Sequence, residues 1–554
     1  MRHALLFQRG QHYWAVVLLT FILAACRPAA PTIDYTQPVD LTPVYGDRLT
    51  SSNNADPTTL IPWLATDSAS GAVNGYLYEA LLQYNEALEL EGALAERWQI
   101  SADKRTITFT LRRGLKWADG TPLTSADVLA TWQAITAPTT ITPYAADYLL
   151  VKTARAPTPY TFTVTYAEPF APALASWAGL AILPRHRLAE TTDLRQSSLN
   201  TQPLGSGPYA LAQWQRGSHV DLVANPHYYR GQPYLTGQRL RLISDPDAAF
   251  MELRAGRLDS LSLKPGQYRR VQTQPALQSR FNTYRYLSRG YTYLGFNLKF
   301  PLFQDVRVRQ ALSYATPREA IIKGVLHGQG EPTVGPFQPG SWAAHPTLQP
   351  YPYNPTQARA LLAAAGWLDT DGDGWLDRAG ERFRFTVVTN QNNPQRLQVA
   401  EIMQAAFKQV GIQMEIVAQE WSTFVENTIN GRNFQAVILG WTVPTEPDPY
   451  DIFHSSRTGP REFNFISYNN PEADQLMVTS RRTFNPTQRA AALHRFQEIL
   501  HHDQPYLFLY TPYALVALHK RVQGVVATPT GISYNAANRW YVPAAWQHDK
   551  MMVE

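Results

Sequence analysis

Cysteine occurs once in the 554 residues, at Cys26. One thiol excludes an internal disulfide, a cysteine-rich zinc site and a CxxC redox pair. What it can still do is take a single covalent attachment, for which a thiolate is a suitable nucleophile. A second group of reactive types lies in DTDGDGWLDRAGERF, where Asp369, Asp371 and Asp373 alternate ahead of Gly374. That spacing matches the first half of a calcium loop whose oxygens converge on a hard cation, with Asp377 able to supply an oxygen at the ninth position. The twelfth position, where such a loop carries a bidentate glutamate, is Gly380, and Glu381 follows it. Structural calcium and a plain Asp-Gly turn both stand as readings. His501-His502 could ligate a metal, yet neighbours on a helix point about 100° apart. With Leu493, Phe496, Ile499 and Leu500 inward, at least one of the pair faces water. There is no GxSxG, HExxH or Walker loop, and Gly205-Ser206-Gly207 lacks the elbow spacing. These absences argue against an enzyme, and no resident cofactor is expected beyond the candidate calcium.

The position of Cys26 suggests its use. Arg2 and Arg9 form a basic start, and Tyr13 to Ala25 carries no charge. That run is shorter than the roughly 20 residues a bilayer span needs, but it suits a secretory signal. Leu23-Ala24-Ala25-Cys26 resembles a bacterial lipobox, in which small residues admit the signal peptidase and the cysteine becomes the lipidated first residue. Residues 1–25 are thus expected to be a lipoprotein signal peptide, and 26–43, with Pro28, Pro31, Pro38 and Pro43, a semi-extended anchored linker. Acyl chains at about 0.8 kcal/mol per buried CH₂ would hold the body to the outer face of the cytoplasmic membrane, or in the periplasm. Loss of Arg2 and Arg9 lowers the basic count from 49 to 47 against 44 acids, a net charge of +3. So balanced a surface argues against nucleic acid as a partner.

The elements that must position any site alternate between strand and helix. In TITFTLRRGLKW, Ile107, Phe109 and Leu111 share one face and Thr106, Thr108 and Thr110 the other, a period of two. Asp119-Gly120 then turns the chain, Thr124 and Asp127 form a capping pair, and Val128, Leu129, Trp132 and Ile135 make a helical stripe. FRFTVVTN (383–390) reads as a strand, Pro394 to Val410 as a helix ended by Gly411, IQMEIVAQ as a strand, Phe424 to Ile429 as a short helix, and FQAVILGW as a buried strand. Strands separated by such helices predict βαβ units and an α/β sheet. Ligands bind at the carboxyl ends of such strands, which points to the end of AVILGW.

Several segments together resemble one family. ALAERWQISADKRTITFTLRRGLKWADGTPLTSADVLATW (93–132), ILPRH (182–186), PLGSGPY (203–209), NPHYYRGQPYL (225–235), AFMELRAGRLD (249–259), DVRVRQALSYATPREAIIKGVL (305–326) and YNNPEADQLM (468–477) are similar, in order, to the family 5 extracellular solute-binding proteins, the oligopeptide- and dipeptide-binding components of ABC importers. The resemblance implies a type II periplasmic-binding-protein fold. Lobe one would comprise residues 44–81, 203–287 and 513–554, with 82–202 inserted as a subdomain, and lobe two residues 288–512. Two crossings, near RGYTYLGFNL and YLFLYTPYAL, would form the hinge, and the lobes would close on a ligand held between them. It further implies a monomer that hands a small molecule or peptide to permease subunits and, through them, to ATPase subunits. A sugar or metal chelate as ligand, or a surface receptor that only senses, are the alternatives.

In peptide-binding members of the family an aspartate three residues after the tryptophan of a Gly-Trp strand end pairs with the peptide's α-amino group. Here Gly440 and Trp441 are present and the third residue on is Pro444, which cannot form that pair. Glu446 or Asp448 could reach the same place. Trp441 lines the pocket or closes a strand in the core. Tyr291, Tyr293 and Asn297, at the first crossing, serve a ligand or packing equally well, and Asn464 and Phe465 lie in a loop that faces the cleft in relatives. Aromatic platforms of this kind suit apolar side chains and sugar faces alike.

Overall fold

The computed structural model describes Tyr35 and residues 38–391, 393–459, 461–529, 531–532 and 538–548; Cys26, the expected signal peptide and most of the expected linker lie outside these. Tyr35 already packs on the body: its ring meets His519 at 4.5 Å and Trp546 at 5.6 Å, edge to face, and its hydroxyl is 3.0 Å from His548 Nε2. The Tyr541 hydroxyl donates to Leu41 O at 2.6 Å. Tyr35 and Leu41, within the stretch expected as a semi-extended linker, are thus fastened to the body. Among the described residues no helix is long and apolar enough to cross a membrane.

The strands used below are, in chain order, β1 (Arg48–Asn53), β2 (Ala95–Ile100), β3 (Thr106–Leu111), β4 (Val151–Thr158), β5 (Thr161–Tyr166), β6 (Tyr209–Gln215), β7 (His219–Ala224), β8 (Gly237–Leu242), β9 (Ser260–Ser262), β10 (Phe281–Leu287), β11 (Gly290–Phe296), β12 (Gly330–Pro332), β13 (Arg384–Asn390), β14 (Gln413–Gln419), β15 (Ala436–Thr442) and β16 (Tyr506–His519). The helices are α1 (Ser125–Thr136), α2 (Pro394–Lys408), α3 (Pro471–Arg482) and α4 (Pro486–Asp503). One sheet runs β14-β13-β15-β11-β16-β9-β1-β8-β7-β6, with β10 and β12 also on β16. A separate antiparallel sheet, β2-β3-β5-β4, belongs to the inserted part. The expected α/β two-lobed architecture is present.

β16 explains how one sheet serves two lobes. Its first half pairs with β11 through Tyr506–Tyr510 and its second with β10 through Tyr513–His519. Between them stands Pro512, which has no N–H to give a ladder, so the partner changes where a donor is missing. β10 and β11 make the second crossing beside it, and Ser288 N–H donates to Pro512 O at 3.0 Å. The two crossings lie where the aromatic-rich segments were expected to place them.

Lobe two is a sheet covered on both faces. Along β15, Ala436 and Ile438 enter one core with Phe296, Met403 and Phe407, while Val437 and Leu439 enter the other with Tyr293, Phe453, Leu493 and Phe496. Such alternation within an apolar run is what a doubly covered strand requires. α2 supplies Val399, Ala400, Met403 and Phe407 to the first core and ends before Gly411 at φ +80°. In the inserted part, Ile107, Phe109 and Leu111 face inward onto Trp177, and Asp127 accepts from Thr124 N–H at 2.8 Å to cap α1. Gly205 is a packing glycine: a Cβ there would stand 1.7 Å from Leu77 O.

Candidate functional site

β13 and β15 run parallel, Val387 beside Ala436 and Val388 beside Val437, so β15 continues to Thr442 beyond the end of β13 at Asn390, where the chain turns into α2. Trp441 is the penultimate residue of β15, opposite Tyr291 in the ladder. Its indole N–H donates to the Tyr506 hydroxyl at 3.3 Å, and its ring meets Phe463 at 5.2 Å and Phe465 at 6.0 Å. It is half-buried and packs against the core that holds Phe465 and Tyr506.

The remaining candidates divide. Tyr291 and Tyr293 are buried, Tyr293 stacking on Tyr506 with ring centroids 3.9 Å apart, and burial pushes both phenols well above their ordinary range. Asn297 is a main-chain clamp rather than a ligand amide: its side-chain N–H donates to Phe434 O at 2.8 Å and its oxygen accepts from Lys299 N–H at 3.1 Å. Asn464 is wholly buried and its amide donates to Phe453 O, His454 O and Tyr468 O while accepting from Tyr468 N–H. Phe465 is 3% exposed and packs between Phe434 and Trp441. The loop that holds Asn464 and Phe465 is therefore folded inward by satisfied main-chain bonds, which corrects their placement at the ligand.

Glu446 and Asp448 are already paired. Glu446 forms an ion pair with Arg489 of α4, and Asp448 accepts from Arg481 Nε at 2.7 Å and from Tyr450 N–H at 3.1 Å. Burial outweighs Arg489 and raises Glu446 above the usual carboxylate range. Each acid is thus held by an arginine of lobe two. Glu446, Arg489 and the exposed Arg289 all act on the Tyr84 phenol from the other lobe, so this group faces the cleft.

Arg481 also closes the cleft's outer side. Its Nη2 is 3.2 Å from Asp147 of the inserted part, its guanidinium lies 4.1 Å from the Tyr450 ring centroid, and its carbonyl accepts from Ala171 N–H at 2.6 Å. Arg482 pairs with Glu168 beside it. Ser176 donates to Asp147 at 2.6 Å, and burial pushes Asp147 up to about 6 against the pull of Arg481. The two lobes are thus clasped at a point remote from the hinge.

Arg396, in the first turn of α2, was not among the expected residues. Its Nη1 donates to Asn390 Oδ1 at 2.8 Å, and its Nη2 stands 3.2 Å from where a Cβ of Gly440 would be. Burial draws it below its ordinary value, and the ionisable groups acting on it are the phenols of Tyr293 and Tyr510. A cue existed in the sequence: an arginine in the first turn of the helix that follows the strand FRFTVVTN, at the kind of strand end where ligands bind in such sheets.

In the acidic loop, Asp369, Asp371 and Asp373 bring one oxygen each within 4.8 Å of one another, all exposed. Asp377 does not join them; it accepts from Thr370 N–H at 3.1 Å and from the Thr370 hydroxyl. Asp369 accepts from Gly372 and Gly374 N–H, Asp371 from Asp373 N–H, and Asp373 pairs with Arg382. The loop is held by these bonds, which is the Asp-Gly turn reading. His501 stacks on Tyr351 and its Nε2 is 2.9 Å from Gln349 O, while the His502 side chain is 70% exposed. The pair does not share a site.

Residues 89–463 match the family described as bacterial extracellular solute-binding proteins, family 5 Middle. The oligopeptide-binding protein AppA of Bacillus subtilis is 32% identical over 95% of this chain and 97% of its own. The chain belongs to that family. The structure of AppA in complex with a nonapeptide matches at a TM-score of 0.82 over 90% of this chain and 99% of that one, at 31% identity. NikZ of Campylobacter jejuni in complex with Ni(L-His) matches at 0.80, at 25% identity and with coverages of 90% and 99%. The D,D-dipeptide-binding periplasmic protein DdpA of Escherichia coli, given as probable, is 28% identical over 89% of this chain and 94% of its own. This family 5 protein is accordingly an extracytoplasmic solute-binding protein, of a family that binds its substrates rather than converting them. Its fold is that of type II binding proteins, two lobes joined by two crossings.

Proposed function

We propose that this chain captures short peptides between its lobes and delivers them to the permease of an ABC importer, with ATPase subunits behind it. The observation that carries the reading is the near full-length likeness to AppA, 32% in sequence and 0.82 in TM-score to its nonapeptide complex. The cleft supports it physically. Trp441 offers an aromatic face, the loop 442–453 and the start of α2 offer polar groups, and Arg481 supplies a contact to Asp147 that forms only when the inserted part meets lobe two. Ligand-gated closure needs such differential contacts. Cys26 at the end of an uncharged leader is proposed to carry the lipid, holding a monomer on the outer face of the cytoplasmic membrane or in the periplasm. The domain limits given above are proposed with it, the inserted part being 82–202.

The test is a thermal-shift titration of the chain with a pool of two- to five-residue peptides. A saturable rise in melting temperature is expected, since a ligand bound only by the folded form stabilises it by RT ln(1 + [L]/Kd). No rise with peptides, together with a rise on a sugar or metal-chelate pool, would overturn the peptide reading and leave the solute-binding one.

A further inference from the structure

A surface pocket of about 470 Å³ lies away from the cleft, lined by Glu91, Arg112, Tyr229, Arg230, Asn538 and Arg539. Its separation follows from the hairpin formed by Leu82–Tyr84 and Leu90–Gly92, in which Gln83 stands opposite Glu91 and Tyr84 opposite Leu90. Neighbouring positions of a strand point to opposite faces. Tyr84, on which Glu446 and Arg489 act, and Glu91, which accepts from Gln83, therefore look different ways.

The pocket carries more positive than negative charge. Arg112 donates to the Ala93 carbonyl at 2.7 Å and the Gly92 carbonyl at 3.2 Å, and among the described residues no carboxylate lies within ion-pair distance of it. Arg230 pairs with Glu91 at 3.1 Å, and the exposed Arg539 is 3.6 Å from Glu86. Arg112 and Arg230 stand 5.4 Å and 5.3 Å from the centroid of the same Tyr229 ring, a gathering of like charge that an anion relieves. Asn538 adds a contact of another kind: it is 9% exposed, and its Oδ1 is buried with no hydrogen-bond partner among the described residues. Guanidinium forks suit a phosphate, and an unpaired buried acceptor suits a hydroxyl beside it.

The pocket shares its face with the N-terminal strap. Tyr234 N–H donates to Asn538 O at 3.3 Å, and Gly46 N–H donates to Tyr234 O at 3.0 Å. The Tyr234 ring lies 5.0 Å from Tyr45 and 6.2 Å from Tyr541, whose hydroxyl holds Leu41. Leu41 and Tyr45 are 48% and 59% exposed, and exposed tyrosine beside arginine suits the head-group layer of a bilayer. Nine residues separate Cys26 from the fastened Tyr35, a reach of at most about 32 Å. A lipid on Cys26 would thus keep this end of the body close to the membrane.

We infer that this pocket binds a phosphate ester that carries a hydroxyl, and that the ester is the glycerol head group of an anionic lipid in the membrane that holds the chain. The pocket's chemistry stands by itself, whereas the lipid as its source rests on the anchored reading above. Occupation would fix which face of the body meets the membrane.

The probes are inorganic phosphate, glycerophosphoglycerol, and vesicles of phosphatidylglycerol or phosphatidylcholine, each with the full chain. By calorimetry, glycerophosphoglycerol is expected to bind saturably and more tightly than inorganic phosphate. Arg112→Gln and Arg539→Gln should each weaken it by about tenfold, the scale of one hydrogen bond to a charged group. Asn538→Asp should weaken it further, because it sets another carboxylate beside Glu91. Peptide affinity of the same variants should stay within about twofold of the wild type, as for sites that do not touch, which a misfolded variant would not show. On vesicles, amide exchange of residues 228–234 and 538–541 is expected to slow with phosphatidylglycerol and not with phosphatidylcholine, whose cation the arginines repel. Binding of the soluble ester with no difference between the vesicles overturns the head group as source and assigns the pocket to a soluble phosphate ester. No binding of ester or phosphate, or equal binding by every variant, overturns the inference while leaving peptide capture intact. A chain that attaches to neither vesicle overturns the anchored reading and the head-group source together, and calorimetry then decides the pocket's chemistry alone.

Discussion

Four hydrogen bonds converge on the Asn464 amide, all from or to main chain, in a site with no solvent exposure. Truncation to alanine leaves three carbonyls and one N–H short of a partner inside the core. Asn464→Ala is therefore expected to lower unfolding stability by about 2–4 kcal/mol, read from urea denaturation, and to weaken ligand binding only through that loss. Trp441→Ala should do the reverse in proportion: a smaller stability loss and a roughly tenfold weaker peptide affinity, the order of one aromatic contact, read by calorimetry. What separates these two residues was only partly legible in the sequence. Trp441 was placed by its strand end, which periodicity reveals. Nothing in the sequence around Asn464 indicates that Phe453, His454 and Tyr468 turn their carbonyls and N–H toward it. The pairing of Glu446 and Asp448 is hidden for a similar reason: their arginines lie on α3 and α4, and pairing 33 residues apart, as for Arg481 with Asp448, leaves no local mark.

At the scale of elements, β3, α1, β13, α2 and β15 were legible because their apolar residues follow a period of two or 3.6 and their ends carry caps, such as Asp127 on Thr124. The short helix expected over Phe424 to Ile429 is a π-helix over Phe424–Asn430, a difference of hydrogen-bond register that side-chain spacing over so few residues cannot express. The acidic loop 369–377 shows the same limit. Alternate aspartates are compatible with a cation or with Asx turns, and it is the partners Thr370 and Arg382 that favour the turn. Removal of divalent metal with EDTA is accordingly expected to leave the melting temperature unchanged; a fall that calcium restores would instead assign the loop a cation.

The whole molecule is held closed at two places, the hinge at Pro512 and the clasp at Arg481. The clasp gives closure a pH dependence. Asp147 is raised to about 6 in the clasped form from an ordinary value of 3.8, chiefly by burial, so that form holds its proton more tightly. Its contribution to closure is full below about 3.8 and is lost as pH rises through about 6. Peptide affinity is expected to be several-fold tighter at pH 5 than at pH 7.5, and Asp147→Asn, which keeps an acceptor for Ser176, should flatten that profile. An unchanged slope in the variant would remove Asp147 from closure. Arg481→Ala should expand the unliganded protein, read as a larger radius of gyration by X-ray scattering, and weaken peptide binding although Arg481 pairs with protein groups on both sides. The two crossings were legible as aromatic-rich strands, whereas the clasp joins Asp147 to a residue 334 positions away and was not.

The central claim, that the closed cleft holds a peptide, meets its most direct test in native mass spectrometry of the protein as purified from cells. The expected spectrum shows excess mass that resolves on denaturation into a ladder of short peptides. A bare protein mass that stays bare after incubation with the peptide pool, or a retained sugar or chelate, would contradict it.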